Sequence, residues 1–190
     1  METIGSKTLI VLVGPPGCGK SALAWDLVAR GVLRITGDDL FFAITDRNHE
    51  AWRPYGVMDA VNTAMDILMV ELLKRGLPVV VDRTHLSARS RRRPLEQGHE
   101  MGYRVEAWVW GNVSEARRRN ASRTGRDKVP QANWDQMVSA FSFPEDTEGF
   151  DLIRIIEPPD AEFFRMQPPP SLLPPAQAPV GIHPPGKGIP

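Results

Sequence analysis

Cysteine is nearly missing from this chain of 190 residues: Cys18 is the only one. An internal disulfide is therefore excluded, and such usage fits a reducing compartment. Net charge is missing too. Lysine plus arginine and aspartate plus glutamate number 23 each, so wholesale electrostatic capture of nucleic acid is not expected, and any polyanion has to be met by a local patch. No apolar run is long enough for a membrane span. The opening METIGSKTLIVLVG runs straight into a glycine-rich turn and reads neither as a signal peptide nor as an anchor. The expected location is cytoplasmic. His49, His99 and His183 show no ligand spacing, so no zinc site is legible. Internal repeats are lacking as well.

What is present divides near Glu157. From Glu157 to Pro190, eleven of the 34 residues are proline, with no helical or strand period. Such a composition buries too little apolar surface to offset its chain entropy. The expectation is a folded domain over residues 1–157 and a proline-rich, disordered tail over 158–190. A polyproline ligand for a partner is the alternative reading of the tail. The oligomeric state is left open, a homo-oligomer included.

Before the tail, short apolar runs alternate with helical patterns. Strands are expected at 8–13 (TLIVLV), 32–36, 77–82, 103–110 and 150–156. Helices are expected at 21–30, 57–75, 87–101, 114–122 and 131–141. The long helix carries apolar residues at Val61, Met65, Leu68 and Leu72, and Met58, Met65 and Met69 also read as core. Trp108 and Trp110 alternate along a strand and read as packing residues. Strands alternating with helices imply an α/β fold, with a parallel sheet of about five strands covered on both faces. Ligands of such folds bind at the carboxyl ends of the strands.

At the first strand end stands Gly14-Pro15-Pro16-Gly17-Cys18-Gly19-Lys20-Ser21, which fits G-x-x-x-x-G-K-[ST] in full. The glycines let backbone N–H groups curl around phosphate oxygens, and the next helix points its positive end at the same anion. The expected ATP-binding set is Gly14, Pro15, Pro16, Gly17, Cys18, Gly19, Lys20, Ser21 and Ala22. Lys20 reaches the β- and γ-phosphates, and the Ser21 hydroxyl ligates Mg²⁺. Cys18 reads as a small residue tolerated in the loop.

Two further strands end in acids. The second runs into Thr36-Gly37-Asp38-Asp39. A carboxylate there can accept the proton of an attacking hydroxyl, or it can cap the short helix LFFAI. One acid for each role is the expectation. LPVVVD ends in Asp82, which reads as a Walker-B-type acid acting on Mg²⁺ or its water shell. Between Arg117 and Lys128 lie six basic residues and one acid, Asp127, with a break at Gly125. Arginines on a mobile lid stabilise transferring phosphate and exclude water. Arg119 and Arg123 are four apart, so on a helical turn they point the same way and grip one triphosphate. The rival reading of the run is a solvated basic face.

GPPGCGKS, a strand ending in GDD, DRTHL and RNASRTGRDKVP together resemble the P-loop 5′-hydroxyl polynucleotide kinases of phage and repair type. The resemblance spans roughly residues 8–156, and the segment FPEDTEGFDLI resembles the close of related kinase domains. It implies a P-loop kinase fold with an arginine-bearing lid, ATP and Mg²⁺ as cofactors, and a nucleic acid 5′ end as substrate. Asp38 matches the general base and Asp82 the second essential acid. Lys20 and Ser21 match the phosphate and Mg²⁺ ligands, Arg119 and Arg123 the lid arginines. Phe41 stands where the family has an arginine that contacts a substrate phosphate, and His85 stands for the asparagine of D-x-T-N-L. The catalytic set is thus Asp38, Lys20 and Arg123, with Ser21 and Asp82 for the metal. Asp39, Arg53, His85 and Arg89 are candidate substrate contacts, near Trp52, Tyr55, Arg91, Arg92 and Arg93. Two alternatives stay open: a small-molecule kinase of similar fold, and a regulatory ATP-binding protein that presents the tail to a partner.

Overall fold

The computed structural model describes residues 4–45, 49–125 and 128–156. The expected tail and Arg126 lie outside the described residues, and so does the side chain of His49. The elements run β1 (Thr8–Val13), α1 (Lys20–Val28), β2 (Leu33–Ile35), α2 (Gly37–Ile44), α3 (His49–Trp52), a 3-10 turn (Arg53–Tyr55), α4 (Val57–Lys74), β3 (Val79–Val81), α5 (Ala88–Glu100), β4 (Arg104–Val109), α6 (Val113–Ser122), α7 (Gln131–Ser139), a 3-10 turn (Asp146–Glu148) and β5 (Leu152–Ile155). The five strands form one sheet in the order β2-β3-β1-β4-β5, and every pairing is parallel.

β1 is buried along its whole length because both faces of the sheet are covered. Leu9, Val11 and Val13 pack on one side with Met65, Met69 and Leu73 of α4 and Leu95 of α5. Ile10 and Leu12 pack on the other with Ala24 and Leu27 of α1, Ala116 of α6 and Trp134 of α7. The period-two alternation of a strand places these side chains. Each fully buried Leu, Ile or Val contributes roughly 1.5–3 kcal/mol. Trp108 and Trp110 pack in the second layer, as expected. Ser87 caps α5: its Oγ accepts from Ser90 N, and its own N–H donates to Ser90 Oγ.

The long helix turns out of the expected phase. Val61, Met65, Met69 and Leu73 form its buried stripe, whereas Leu68 is 39% exposed and Leu72 only partly buried. Two apolar registers coexist in VNTAMDILMVELLK, and the one spaced strictly by four meets the sheet. Among the described residues no helix is long and apolar enough to cross a membrane.

Candidate phosphoryl-transfer site

β1 and β3 are neighbours, with Val11 in register with Val81. The helix after β1 packs on one face of the sheet and the helix after β3 on the other. In such a sheet the loops after the two strands part at this point, where ligands of α/β folds bind. The β1 loop brings Gly14–Ser21 to it, and the β3 end brings Asp82.

The glycine-rich loop is tied down by its carbonyls. Lys20 Nζ donates to Gly14 O at 2.8 Å and to Pro15 O at 2.9 Å, which holds the ammonium of this buried lysine inside the loop. Trp134 Nε1 donates to Pro16 O at 3.0 Å, and Gly14 N donates to Thr84 O at 2.9 Å. Gly17 has φ +94, and a Cβ there would lie 2.5 Å from Ala116 O of α6. Only glycine fits this approach. Cys18 is buried, its Sγ 3.5 Å from Lys20 Nζ. α1 starts at Lys20 with no side-chain cap, so the first-turn amides lack intrahelical acceptors. An uncapped helix end with a lysine ammonium at the loop beside it fits a phosphate group. Ser21 is exposed in the first turn. Its hydroxyl and the Asp82 carboxylate would suit a Mg²⁺ that keeps phosphate and water oxygens as its other ligands.

Asp82 is 5% exposed, and its N–H donates to Ile35 O at 2.9 Å. Its Oδ2 accepts from Arg34 Nε at 2.9 Å and forms an ion pair with Nη2 at 2.7 Å. Arg34 Nη1 donates to Asp39 Oδ2 at 2.6 Å. Sequence reasoning missed Arg34, although an arginine inside the short apolar strand VLRIT was a visible signal. The capping expectation for the acidic pair is corrected. α2 begins at Gly37 with Thr36 as its cap residue, so Asp38 and Asp39 lie within the first turn and neither caps it. There both favour the positive helix end. Asp38 is exposed and forms no hydrogen bond or ion pair among the described residues. Phe41 is completely buried.

His85 is buried at φ +41, and its Nδ1–H donates to Leu12 O at 3.0 Å. Burial, followed by the charges of Arg83, Lys20 and Arg91, drives its pKa down to about 3, against the pull of the Leu12 carbonyl. The ring is neutral and braces the loop from inside, rather than standing on an exposed surface. Arg91 is also corrected as a substrate contact. It is fully buried, donating to Glu148 Oε2 at 2.8 Å and Oε1 at 2.5 Å, and to His85 O and Ser142 O at 3.0 Å each. Arg92 pairs with Glu96 and Arg93 with Asp66. Arg89 and Arg53 are exposed, in the first turn of α5 and in the 3-10 turn before α4. The Trp52 and Tyr55 rings beside Arg53 lie 6.1 Å apart.

α6 leans on the glycine-rich loop at Gly17. Arg119 Nε donates to Glu115 Oε1 at 2.6 Å, and Arg118 grips the same carboxylate through Nε and Nη2; the hydrogen bonds of Arg118, then of Arg119, hold its pKa down to about 2. The helical spacing argument for Arg119 and Arg123 fails, because α6 ends at Ser122 and Arg123 has extended backbone (φ −68, ψ 152). Asn120 is 1% exposed; its Nδ2 donates to Val129 O and its Oδ1 accepts from Val129 N. It closes the base of the arginine loop, a role that the run of arginines masked in the sequence.

Among solved structures, the chain is similar to the Pnkp1/Rnl/Hen1 RNA repair complex (TM-score 0.58, 23% identity, 73% of this chain and 45% of that chain). It is similar in the same way to a gluconokinase from Sinorhizobium meliloti 1021 (TM-score 0.56, 23% identity, 85% of this chain and 90% of that chain). At these identities the likeness is one of fold. A 71-residue stretch is 41% identical to an adenylate kinase of Maricaulis maris (strain MCS10), covering 36% of this chain and 38% of that relative. The chain therefore spans well under half of the curated relative it matches. The AAA domain model (AAA_33) matches residues 9–144, from the first strand to the segment that holds Arg91. With its loop, strand order and kinase-like neighbours in agreement, the chain belongs to the AAA domain (AAA_33) family and carries a P-loop kinase-like domain.

Proposed function

We propose that this domain transfers the γ-phosphoryl group of ATP to a hydroxyl, with the 5′-hydroxyl of DNA or RNA as acceptor. The observation that carries the reading is Asp38. It is an exposed carboxylate without a partner among the described residues, in the first turn after β2. β2 lies beside β3, whose end carries Asp82, with Ile35 in register with Val81. Asp38 takes the proton of the attacking hydroxyl. That oxygen bonds to the γ-phosphorus while the bond to the leaving ADP oxygen breaks, and the proton stays on the Asp38 carboxylate. Lys20 and the first-turn amides of α1 hold the phosphates. Arg119 and Arg123 offset the charge on the transferred group. Ser21 and Asp82 would hold a Mg²⁺, which would supply positive charge beside the phosphates. The polynucleotide acceptor rests on the motif resemblance and is supported by the likeness to the RNA repair complex. Asp39, Arg53, His85 and Arg89 stay candidates on the acceptor side, His85 through the loop it braces.

One observation favours a second reading, a small hydroxylated acceptor. Phe41, at the position of the resembled family's phosphate-binding arginine, is completely buried. A neutral acceptor needs no cation there, and the gluconokinase likeness covers nearly all of both chains.

The test is incubation with γ-labelled ATP, Mg²⁺ and a 5′-hydroxyl oligonucleotide, as DNA and as RNA, with Asp38→Ala as control. Label on the oligonucleotide with the unsubstituted chain only supports the proposal. No label on either nucleic acid, with ATP binding intact, overturns the polynucleotide reading and directs the search to sugars.

A further inference from the structure

Arg34 joins its own strand to three other elements with one side chain. It stands on β2 and points its fork at two acids. Nε donates to Asp82 Oδ2 at the end of β3, Nη2 lies 2.7 Å from the same oxygen as an ion pair, and Nη1 donates to Asp39 Oδ2 in the first turn of α2. Its guanidinium carbon lies 4.7 Å from the ring centroid of Trp25, on the helix that follows the glycine-rich loop. The Arg34 side chain is 9% exposed, that of Asp82 3% and that of Asp39 58%. The pair with Asp82 is therefore buried, and the pair with Asp39 is the outer arm.

The geometry has two consequences. Both contacts with Asp82 end on Oδ2, which leaves Oδ1 for a cation or a water. The Asp39 arm tethers the turn that holds Asp38, one residue away in sequence. A planar fork sets both directions at once, which the compact ammonium of lysine cannot. A charge placed inside the strand VLRIT would be costly without such partners.

We infer that Arg34 is a positioning residue of the transfer site, locking the phosphate-side acid Asp82 to the acceptor-side turn that carries Asp38. The inference rests on the transfer reading above. Arg34 touches no reacting atom; it acts through the two acids. Trp25, itself 44% exposed, stacks on the guanidinium and shields it from solvent.

The test uses the full chain with Arg34→Met, Arg34→Lys and Asp39→Asn. Steady-state transfer to the 5′-hydroxyl oligonucleotide is measured beside amide hydrogen exchange across residues 37–44. Arg34→Met should lower kcat by about 10- to 100-fold, the scale of a small misplacement of reacting groups. KM for ATP should stay within about twofold, since the phosphate cradle is not touched. Arg34→Lys, which keeps the charge without the fork, should recover part of kcat. Asp39→Asn, which loosens the outer arm, should lower kcat about two- to fivefold and speed exchange across α2. Adding it to Arg34→Met should lower kcat no further, because the two act along one path. Arg34→Met with kcat within threefold of the unsubstituted chain overturns the inference, and so does a loss carried by KM alone. Should Arg34→Met fail to fold, Asp39→Asn decides: unchanged kcat and unchanged α2 exchange overturn it. Should the unsubstituted chain label no oligonucleotide, the proposed function falls, and exchange alone judges Arg34. Faster exchange across α2 in Asp39→Asn then supports the tether, and unchanged exchange overturns it.

Discussion

Asn120 and Val129 exchange two hydrogen bonds across nine residues: Asn120 Nδ2 donates to Val129 O at 2.8 Å, and Val129 N donates to Asn120 Oδ1 at 3.1 Å. One buried amide thus satisfies both backbone groups of a residue beyond the arginine loop and closes that loop against α6. Asn120→Ala leaves the pair unsatisfied, and the expected cost is about 1–3 kcal/mol. Urea denaturation should show the lower midpoint. ATP affinity should fall with it, since Arg123 lies inside the released loop. An unchanged midpoint would mean that the clasp contributes nothing.

Asp38→Ala should leave the fold intact, because the side chain is exposed and holds no partner among the described residues. Loss of a general base slows transfer by about 10²–10⁴-fold. ATP binding, followed by equilibrium titration, should stay within about threefold, because uniform binding is not lost with the base. Transfer at the unsubstituted rate would remove Asp38 from the mechanism.

Gly17→Ala should disable nucleotide binding. Its Cβ would meet Ala116 O at 2.5 Å with φ at +94, so the glycine-rich loop or α6 has to shift. Strain of this kind costs about 1–3 kcal/mol. Calorimetric titration with ATP should show a loss of affinity larger than the fall in melting temperature would explain. Normal affinity would place the loop's contact with α6 outside the binding site.

His85 gives stability a pH dependence of known sign. Burial, then nearby positive charge, takes its folded pKa from 6.5 down to about 3. Between these values the unfolded chain binds more protons than the folded one. The contribution is fully present above pH 6.5 and is lost as pH falls toward 3. His85→Asn keeps a hydrogen-bond donor, and asparagine tolerates the left-handed backbone at φ +41. Its unfolding free energy should fall less steeply over that window. An identical slope in the two proteins would show that another group sets it.

The buried pair of Arg91 and Glu148 predicts unequal mutants. Arg91→Met alone leaves the Glu148 carboxylate short of its partner and should cost about 3–5 kcal/mol. Arg91→Met with Glu148→Gln should be milder, because no lone charge remains. Burial pushes the Glu148 pKa up, but the Arg91 hydrogen bonds and charge, with the Glu145 N–H, hold it below its ordinary 4.5. That stability is present above pH 4.5 and is lost as pH falls through the lowered value. Thermal melts of single and double variants check both statements. A double variant less stable than Arg91→Met would refute the unpaired-charge account.

Much of the site was legible as local pattern. The loop Gly14–Ser21 stands between β1 and α1, and Asp82 stands at the end of β3. Other readings failed for lack of a third dimension. Arg91 sits among Arg89, Arg92 and Arg93 and shares their chemistry, yet the phase of α5 turns it alone into the core. Arg119 and Arg123 have helical spacing, but the helix stops between them. One of Asp38 and Asp39 reads as the cap of LFFAI until the helix is seen to begin at Gly37, before both.

Apolar alternation and glycine spacing are properties of neighbouring residues, so the sequence by itself determined that strands alternate with helices, that β1 is buried on both faces, and that a phosphate cradle follows it. The strand order β2-β3-β1-β4-β5 was decided only in three dimensions, and with it the partners of each charge. Arg34 meets Asp82 because β2 lies beside β3. Arg91 meets Glu148 because the turn at 146–148 folds back on α5. Such pairs join residues 48 and 57 positions apart. Their energies depend on burial and on fork geometry, neither of which a one-dimensional pattern carries.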